Sequence, residues 1–128
     1  MIGEKPRVLL VEDEWLIAFG LEELVRELGY DVVGPVPSVP LALALLEKEQ
    51  VHIAILDVNL GLGMKSFPIA EALKVKRVPF LFVSGYHERD LPAEFSDAIV
   101  CSKPYTEDTL RKSLAKISDQ SRRAETRT

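Results

Sequence analysis

Five short apolar runs, four of them leading into a polar residue and most followed by a stretch of helical period, constrain this chain more than any other feature. Arg7-Val8-Leu9-Leu10-Val11 is β-branched and apolar on both sides of the pleat, the pattern of a strand buried on two faces. Behind it Ile17, Leu21, Leu24, Val25 and Leu28 recur at helical spacing, and Gly29 stops that helix as its C-cap. Asp31 to Gly34 reads as a brief second strand. Ser38 caps a second helix, with Pro40 in its first turn and a nearly apolar body from Leu41 to Leu46. The third run, Ile53 to Leu56, leads into Asp57. A loop with Gly61 and Gly63 follows, then a short helix from about Pro68 to Lys74.

The fourth run, Pro79 to Val83, ends at Ser84-Gly85, and the stretch Tyr86 to Ser96 supports at most one weak helical turn. Ala98 to Cys101 makes the fifth strand. A last helix starts at Thr106, a plausible N-cap, with Glu107 and Asp108 placed well for the helix dipole. Leu110, Leu114 and Ile117 give it a buried stripe, whereas Ala124 is the one apolar residue after Asp119. Residues 1–118 are therefore expected to form one domain, with 119–128 a disordered polar tail. Strands alternating with helices predict an α/β fold whose parallel sheet carries helices on both faces.

Composition excludes several function classes. A length of 128 residues suits one domain, and 47% hydrophobic with 28% charged residues suits a soluble globular protein. A net charge of −4 argues against a general affinity for nucleic acid. Cys101 is the only cysteine, so neither an internal disulfide nor a multi-cysteine metal site is expected, and its apolar neighbours suggest a small buried residue. No apolar run approaches the ~18 residues that span a bilayer. Met1 to Pro6 lacks a signal-peptide core. A cytoplasmic protein with no membrane or nucleic-acid partner is the expectation.

The chemistry collects where the strands end. Glu12 and Asp13 follow the first strand, Asp57 the third, Ser84 the fourth and Lys103 the fifth. In open parallel sheets the ligand site lies beyond the carboxyl ends of the strands, where strand order reverses. Three acids crowded together need a cation or a proton between them. An all-oxygen donor set suits Mg²⁺, which takes one or two carboxylates together with phosphate oxygens. One carboxylate then becomes a nucleophile toward phosphorus, with Lys103 and the metal neutralising charge and the Ser84 hydroxyl bonding a phosphoryl oxygen.

The segments Val11-Glu12-Asp13-Glu14, Leu56-Asp57-Val58-Asn59-Leu60, Val83-Ser84-Gly85 and Ser102-Lys103-Pro104 closely resemble the signature of response-regulator receiver domains of two-component systems. The resemblance covers roughly Pro6 to Ile117. It implies a flavodoxin-like (βα)5 fold with strand order 2-1-3-4-5. It also implies that Asp57 is the phosphoacceptor of a histidine kinase or phosphotransfer protein. Asp13, Asp57 and the backbone carbonyl of Asn59 would then ligate Mg²⁺, with Glu12 acting through a water. Ser84 matches the switch hydroxyl and Lys103 the phosphate partner.

Pro79-Phe80-Leu81-Phe82-Val83-Ser84-Gly85-Tyr86 further resembles the FATGUY subgroup of single-domain regulators, often associated with HWE-type kinases; Val83-Ser84 replaces its Ala-Thr. Val100 stands where an ordinary receiver carries an aromatic switch residue, three positions before the lysine. Ser84, Tyr86 and Tyr105 are accordingly the switch candidates, and the signal is expected to be read through Tyr86 to Ser96.

Competing functions are weaker. A pseudo-receiver would not keep Asp13, Asp57, Ser84 and Lys103 together. A haloacid-type phosphatase needs a general acid two residues after its nucleophile, and Asn59 cannot donate a proton in that way. The expectation is a phosphoacceptor, monomeric or weakly dimeric, that signals by protein contacts without an output domain. It would catalyse only its own phosphoryl transfer and dephosphorylation. Phosphate sink, relay and competitor for a kinase all fit such a chain. Bland readings suffice elsewhere: Gly61-Leu62-Gly63 as a flexible rim, His52 and His87 as exposed loop residues, Trp15 as a packing residue on the rim, and the basic tail residues as solvating.

Overall fold

The computed structural model describes residues 5–85 and 91–127, with side chains to Ser118. Five parallel strands, β1 (Arg7–Val11), β2 (Asp31–Val36), β3 (Ile53–Asp57), β4 (Phe80–Ser84) and β5 (Ile99–Ser102), stand in the order β2-β1-β3-β4-β5. Four helices connect or follow them: α1 (Trp15–Glu27), α2 (Val39–Lys48), α3 (Phe67–Lys76) and α4 (Glu107–Arg127).

Alternation along the central strands divides the core into two layers. Val8, Leu10, Ile53, Ile55, Leu81 and Val83 pack beneath α1 and α4, through Leu21, Val25, Leu110, Leu114 and Ile117. Their neighbours Leu9, Val11, Ala54, Leu56 and Phe82 pack beneath α2 and α3, through Ala42, Leu46, Ile69, Ala70 and Leu73. Burial on both faces explains why β1 and β3 read as continuous apolar runs.

The caps follow from local chemistry. Gly29 takes φ 101° just past α1, and the Gly29 and Tyr30 amides bond back to the Arg26 and Val25 carbonyls. The Leu41 amide bonds the Ser38 hydroxyl at 3.4 Å. Thr106 caps α4, its hydroxyl accepting from the Thr109 amide at 3.1 Å.

Three elements differ from expectation. β2 runs on through Gly34-Pro35 to Val36, because an edge strand tolerates a residue with no N–H to donate. α4 continues past Ile117 to Arg127, across the segment expected to be a disordered tail. That segment contains no glycine or proline, and six of its ten residues are Arg, Gln, Glu or Ala, all good helix formers.

The third difference lies in the β4–β5 crossover, where a single 3-10 turn at Ala93–Phe95 agrees with the weak turn read from sequence. Its Phe95 is nonetheless 1% exposed, stacked on Phe67 at 5.7 Å and edge-on to Phe82 at 5.7 Å. The Lys74 ammonium lies 5.0 Å from the Phe95 ring centroid and donates to the Glu94 carbonyl. Aromatic packing thus anchors the far end of a polar crossover. Tyr86 and His87 lie outside the described residues.

Candidate functional site

Strand order reverses between β1 and β3, so the residues leaving those strands share one crevice. Glu12, directly after β1, is buried, and its carboxylate accepts from the Glu14 amide at 3.2 Å. Asp13 beside it is exposed. Asp57, the last residue of β3, is 7% exposed. Oxygens of these three carboxylates lie within 4.8 Å of one another.

The other two strands close the site. Asp57 is in register with Val83, and Ser84 with Ser102, which sets Ser84 and Lys103 one step beyond the acids. The Lys103 amide bonds the Ser84 carbonyl at 2.8 Å, and the Lys103–Pro104 peptide is cis. The Lys103 ammonium reaches Asp57 Oδ2 at 2.7 Å and Glu12 Oε1 at 3.3 Å. Ser84 is buried at 3% exposure. The fold thus brings Glu12, Asp13, Asp57 and Lys103 together and sets Ser84 at the neighbouring strand end.

The electrostatics are those of a crowded acidic site. Burial first, and the Asp57 charge second, push the Glu12 carboxyl from 4.5 to about 7, although the Glu14 amide and Lys103 pull the other way. Burial works against the Lys103 charge, but its hydrogen bond to Asp57 and the two carboxylates prevail and hold it above its ordinary value. Tyr105, half-buried, is raised by burial and then by the charge of Glu12. With Ile17, Gly85, Lys103 and Pro104 it lines a hollow of about 460 Å³, which makes it a neighbour of the site, as a switch candidate must be. Val100 is half-exposed on the edge strand β5.

The donor set fits a hard divalent cation, being oxygen only and short of positive charge. The β3–α3 loop contributes to that fit. It closes as a small hairpin in which Leu60 N–H bonds Met64 carbonyl at 2.8 Å and Ser66 N–H bonds Val58 carbonyl at 3.0 Å. Those bonds leave the Asn59 carbonyl out of the ladder, while the Asn59 amide donates to Asp57 Oδ1 at 3.1 Å.

Gly61 turns the loop at φ 79°, and a Cβ placed there would lie 2.8 Å from Asp13 Oδ2. The glycine is therefore a close-approach residue, a more specific role than a flexible rim. Gly61→Ala is expected to displace Asp13 and weaken divalent-cation binding severalfold, at a stability cost of about 1 kcal/mol. Cation titration followed by amide shifts, beside a urea melt, measures both.

Three features escaped the sequence reading. Trp15 does not pack on the rim: it is 78% exposed at the start of α1, beside exposed Leu16 and Phe19. It helps line a hollow of about 230 Å³ together with Glu12, Asp13, Phe19 and Pro35. Lys65 reaches Asn59. His52, exposed as expected, accepts the Arg7 amide on Nδ1 at 2.9 Å and so belongs to the start of the sheet, before the first residue of the strand that Asp57 ends.

Comparisons with known proteins converge. A family model described as the response regulator receiver domain matches residues 8–115. The solution structure of SdrG from Sphingomonas melonis Fr1 is 42% identical with a TM-score of 0.79, covering 88% of this chain and 96% of that one. SdrG in a BeF3-activated conformation superposes with a TM-score of 0.75, covering 89% and 97%. The phyllosphere-induced regulator PhyR of Methylorubrum extorquens is 33% identical over 77% of this chain and 38% of its own length. The transcriptional regulatory protein PdtaR of Mycobacterium tuberculosis is 33% identical over 72% of this chain and 45% of its own. The chain thus spans less than half the length of these two curated relatives.

Proposed function

The chain belongs to the response regulator receiver domain family, and on that footing we propose that it accepts a phosphoryl group on Asp57 from a sensor histidine kinase. The observation that carries the reading is the Asp57 carboxylate, nearly buried at a strand end, held by Lys103 at 2.7 Å and flanked by Glu12 and Asp13. SdrG, the relative at 42% identity, has a conformation described as BeF3-activated, and trifluoroberyllate is a tetrahedral mimic of a phosphoryl group.

In the transfer, an Asp57 oxygen attacks phosphorus in line, the P–N bond to the donor histidine breaks, and the imidazole leaves with its electron pair. Lys103 neutralises charge on the phosphoryl oxygens, and the buried Ser84 hydroxyl offers them a hydrogen bond. Asp13, Asp57 and the Asn59 carbonyl would hold Mg²⁺, with Glu12 behind a water; the ion would offset the carboxylates and the incoming phosphate.

The donor must cover the mouth of the site, and exposed Trp15 and Phe19 on α1 adjoin it with the apolar surface a helical partner needs. We assign the donor to the HWE type on the Pro79 to Tyr86 sequence. The protein acts on no substrate other than its own phosphoryl group and works in the cytoplasm by protein contacts. Among the described residues, no helix is long and apolar enough to cross a membrane.

Two measurements test this reading. Labelled phosphoryl from an HWE kinase, or from acetyl phosphate, should appear on Asp57 as a hydroxylamine-labile acyl phosphate; label on another residue would refute the assignment. Mg²⁺ titration should change Trp15 emission, because Trp15 shares a hollow with Glu12 and Asp13. Unchanged emission together with unchanged amide shifts around Asp57 would remove the metal site.

A further inference from the structure

Lys65 lies outside every motif above, yet the fold brings it to the mouth of the site. Asn59 and Lys65 oppose each other across an isolated antiparallel bridge whose hydrogen bonds lie on either side of the pair. In such a non-hydrogen-bonded pair the side chains stand closer than in the alternative pairing, with Cα atoms about 4.5 Å apart. The Lys65 ammonium accordingly donates to Asn59 Oδ1. Asn59 in turn bonds Asp57 Oδ1 through its backbone amide at 3.1 Å, and the turn at Gly61 presses against Asp13. Nucleophile, carboxamide and ammonium are therefore linked in sequence, on a loop seated against a second carboxylate of the site.

We propose that Lys65 is a positioning residue for the aspartyl phosphate, acting through Asn59 to lengthen the life of the phosphorylated state. This rests on the reading of Asp57 as phosphoacceptor. By occupying the amide oxygen, Lys65 fixes which way the Asn59 carboxamide faces and leaves its two N–H donors for an anion two residues from the nucleophile. Hydrolysis requires a water oxygen to attack phosphorus in line with the bond to Asp57. That P–O bond breaks, its electron pair returns to the carboxylate, and both water hydrogens leave on dihydrogen phosphate. A carboxamide held at the mouth by a charge-assisted bond restrains the phosphoryl group and narrows the path of that water.

The test uses the full chain labelled with acetyl phosphate in Mg²⁺, with loss of label followed after the donor is removed. Asn59 and Lys65 are both exposed, so substitutions there remove no core packing. Lys65→Ala is expected to shorten the phosphoryl lifetime about threefold or more, the scale of one partly solvated charge-assisted bond. Lys65→Arg should restore most of it. In an Asn59→Ala background, Lys65→Ala should add nothing further, because the two act as a unit. Equal lifetimes for wild type and Lys65→Ala, or additive losses in the double variant, would overturn the role of Lys65 and leave Asp57 in place. A wild-type chain that takes no label on Asp57 would instead overturn the phosphoacceptor reading itself.

Discussion

Asp57→Asn is expected to reduce phosphoryl incorporation to background with every donor, while the protein stays folded. The substitution keeps the shape of the side chain and its place at the end of β3, but an amide oxygen does not attack phosphorus as a carboxylate does. Folding is not at risk. The Asp57 charge is one of the causes that raise Glu12, so removing it relieves repulsion inside the site. Loss of label in a chain at least as stable as wild type would therefore assign the chemistry to this carboxylate alone.

Lys103→Ala makes the contrasting case. It leaves the nucleophile intact and removes the ammonium 2.7 Å from Asp57, so labelling should persist at a rate reduced roughly a hundredfold, the scale of one oxyanion donor. Autoradiography of the two variants beside wild type, with urea melts of each, separates the roles. Wild-type labelling of Asp57→Asn would place the acceptor elsewhere.

The strand-end residues were legible because their neighbours are unambiguous. An apolar run such as Ile53 to Leu56 can be little other than a buried strand, and the polar residue that ends it must sit at the sheet's edge. Strand order then follows from the family resemblance, and the site from strand order. What escaped depends on loop geometry or on single residues without periodicity. Phe95 stands in a stretch where Pro92 and the charged neighbours Glu94 and Asp97 break any regular apolar period, so nothing local marks it as core, yet Phe67, Phe80 and Phe82 receive it. The Lys65–Asn59 contact arises from the closure of a five-residue turn, and the approach of Gly61 to Asp13 from the packing of that turn against the end of β1. Trp15 misled for the opposite reason: a large aromatic is usually covered, and here α1 turns it outward beside the site.

Metal-free protein should lose stability as pH rises from about 5 to 8, and Glu12→Gln should abolish the part of that loss due to this site. The Glu12 carboxyl titrates at 4.5 when unperturbed and at about 7 in the fold, so between those values the folded state keeps a proton that the unfolded chain has released. The stabilisation that proton confers is complete below 4.5, fades as pH rises through 7, and is absent above it. An elevation of that size corresponds to about 3 kcal/mol, at 1.36 kcal/mol per unit. Gln fills the same buried space and carries no charge at any pH. Wild type and variant should therefore match near pH 5 in EDTA, with the variant the more stable by roughly that amount at pH 8. A divalent cation offsets the same charge, so saturating Mg²⁺ should close the gap at pH 8, and its affinity should fall as acid protonates Glu12. Urea unfolding at pH 5, 6, 7 and 8, with and without Mg²⁺, gives the comparison. A stability difference between the two proteins that does not vary with pH would mean that Glu12 keeps an ordinary carboxylate in the fold, and that the crowding of the three acids is relieved by Lys103 alone.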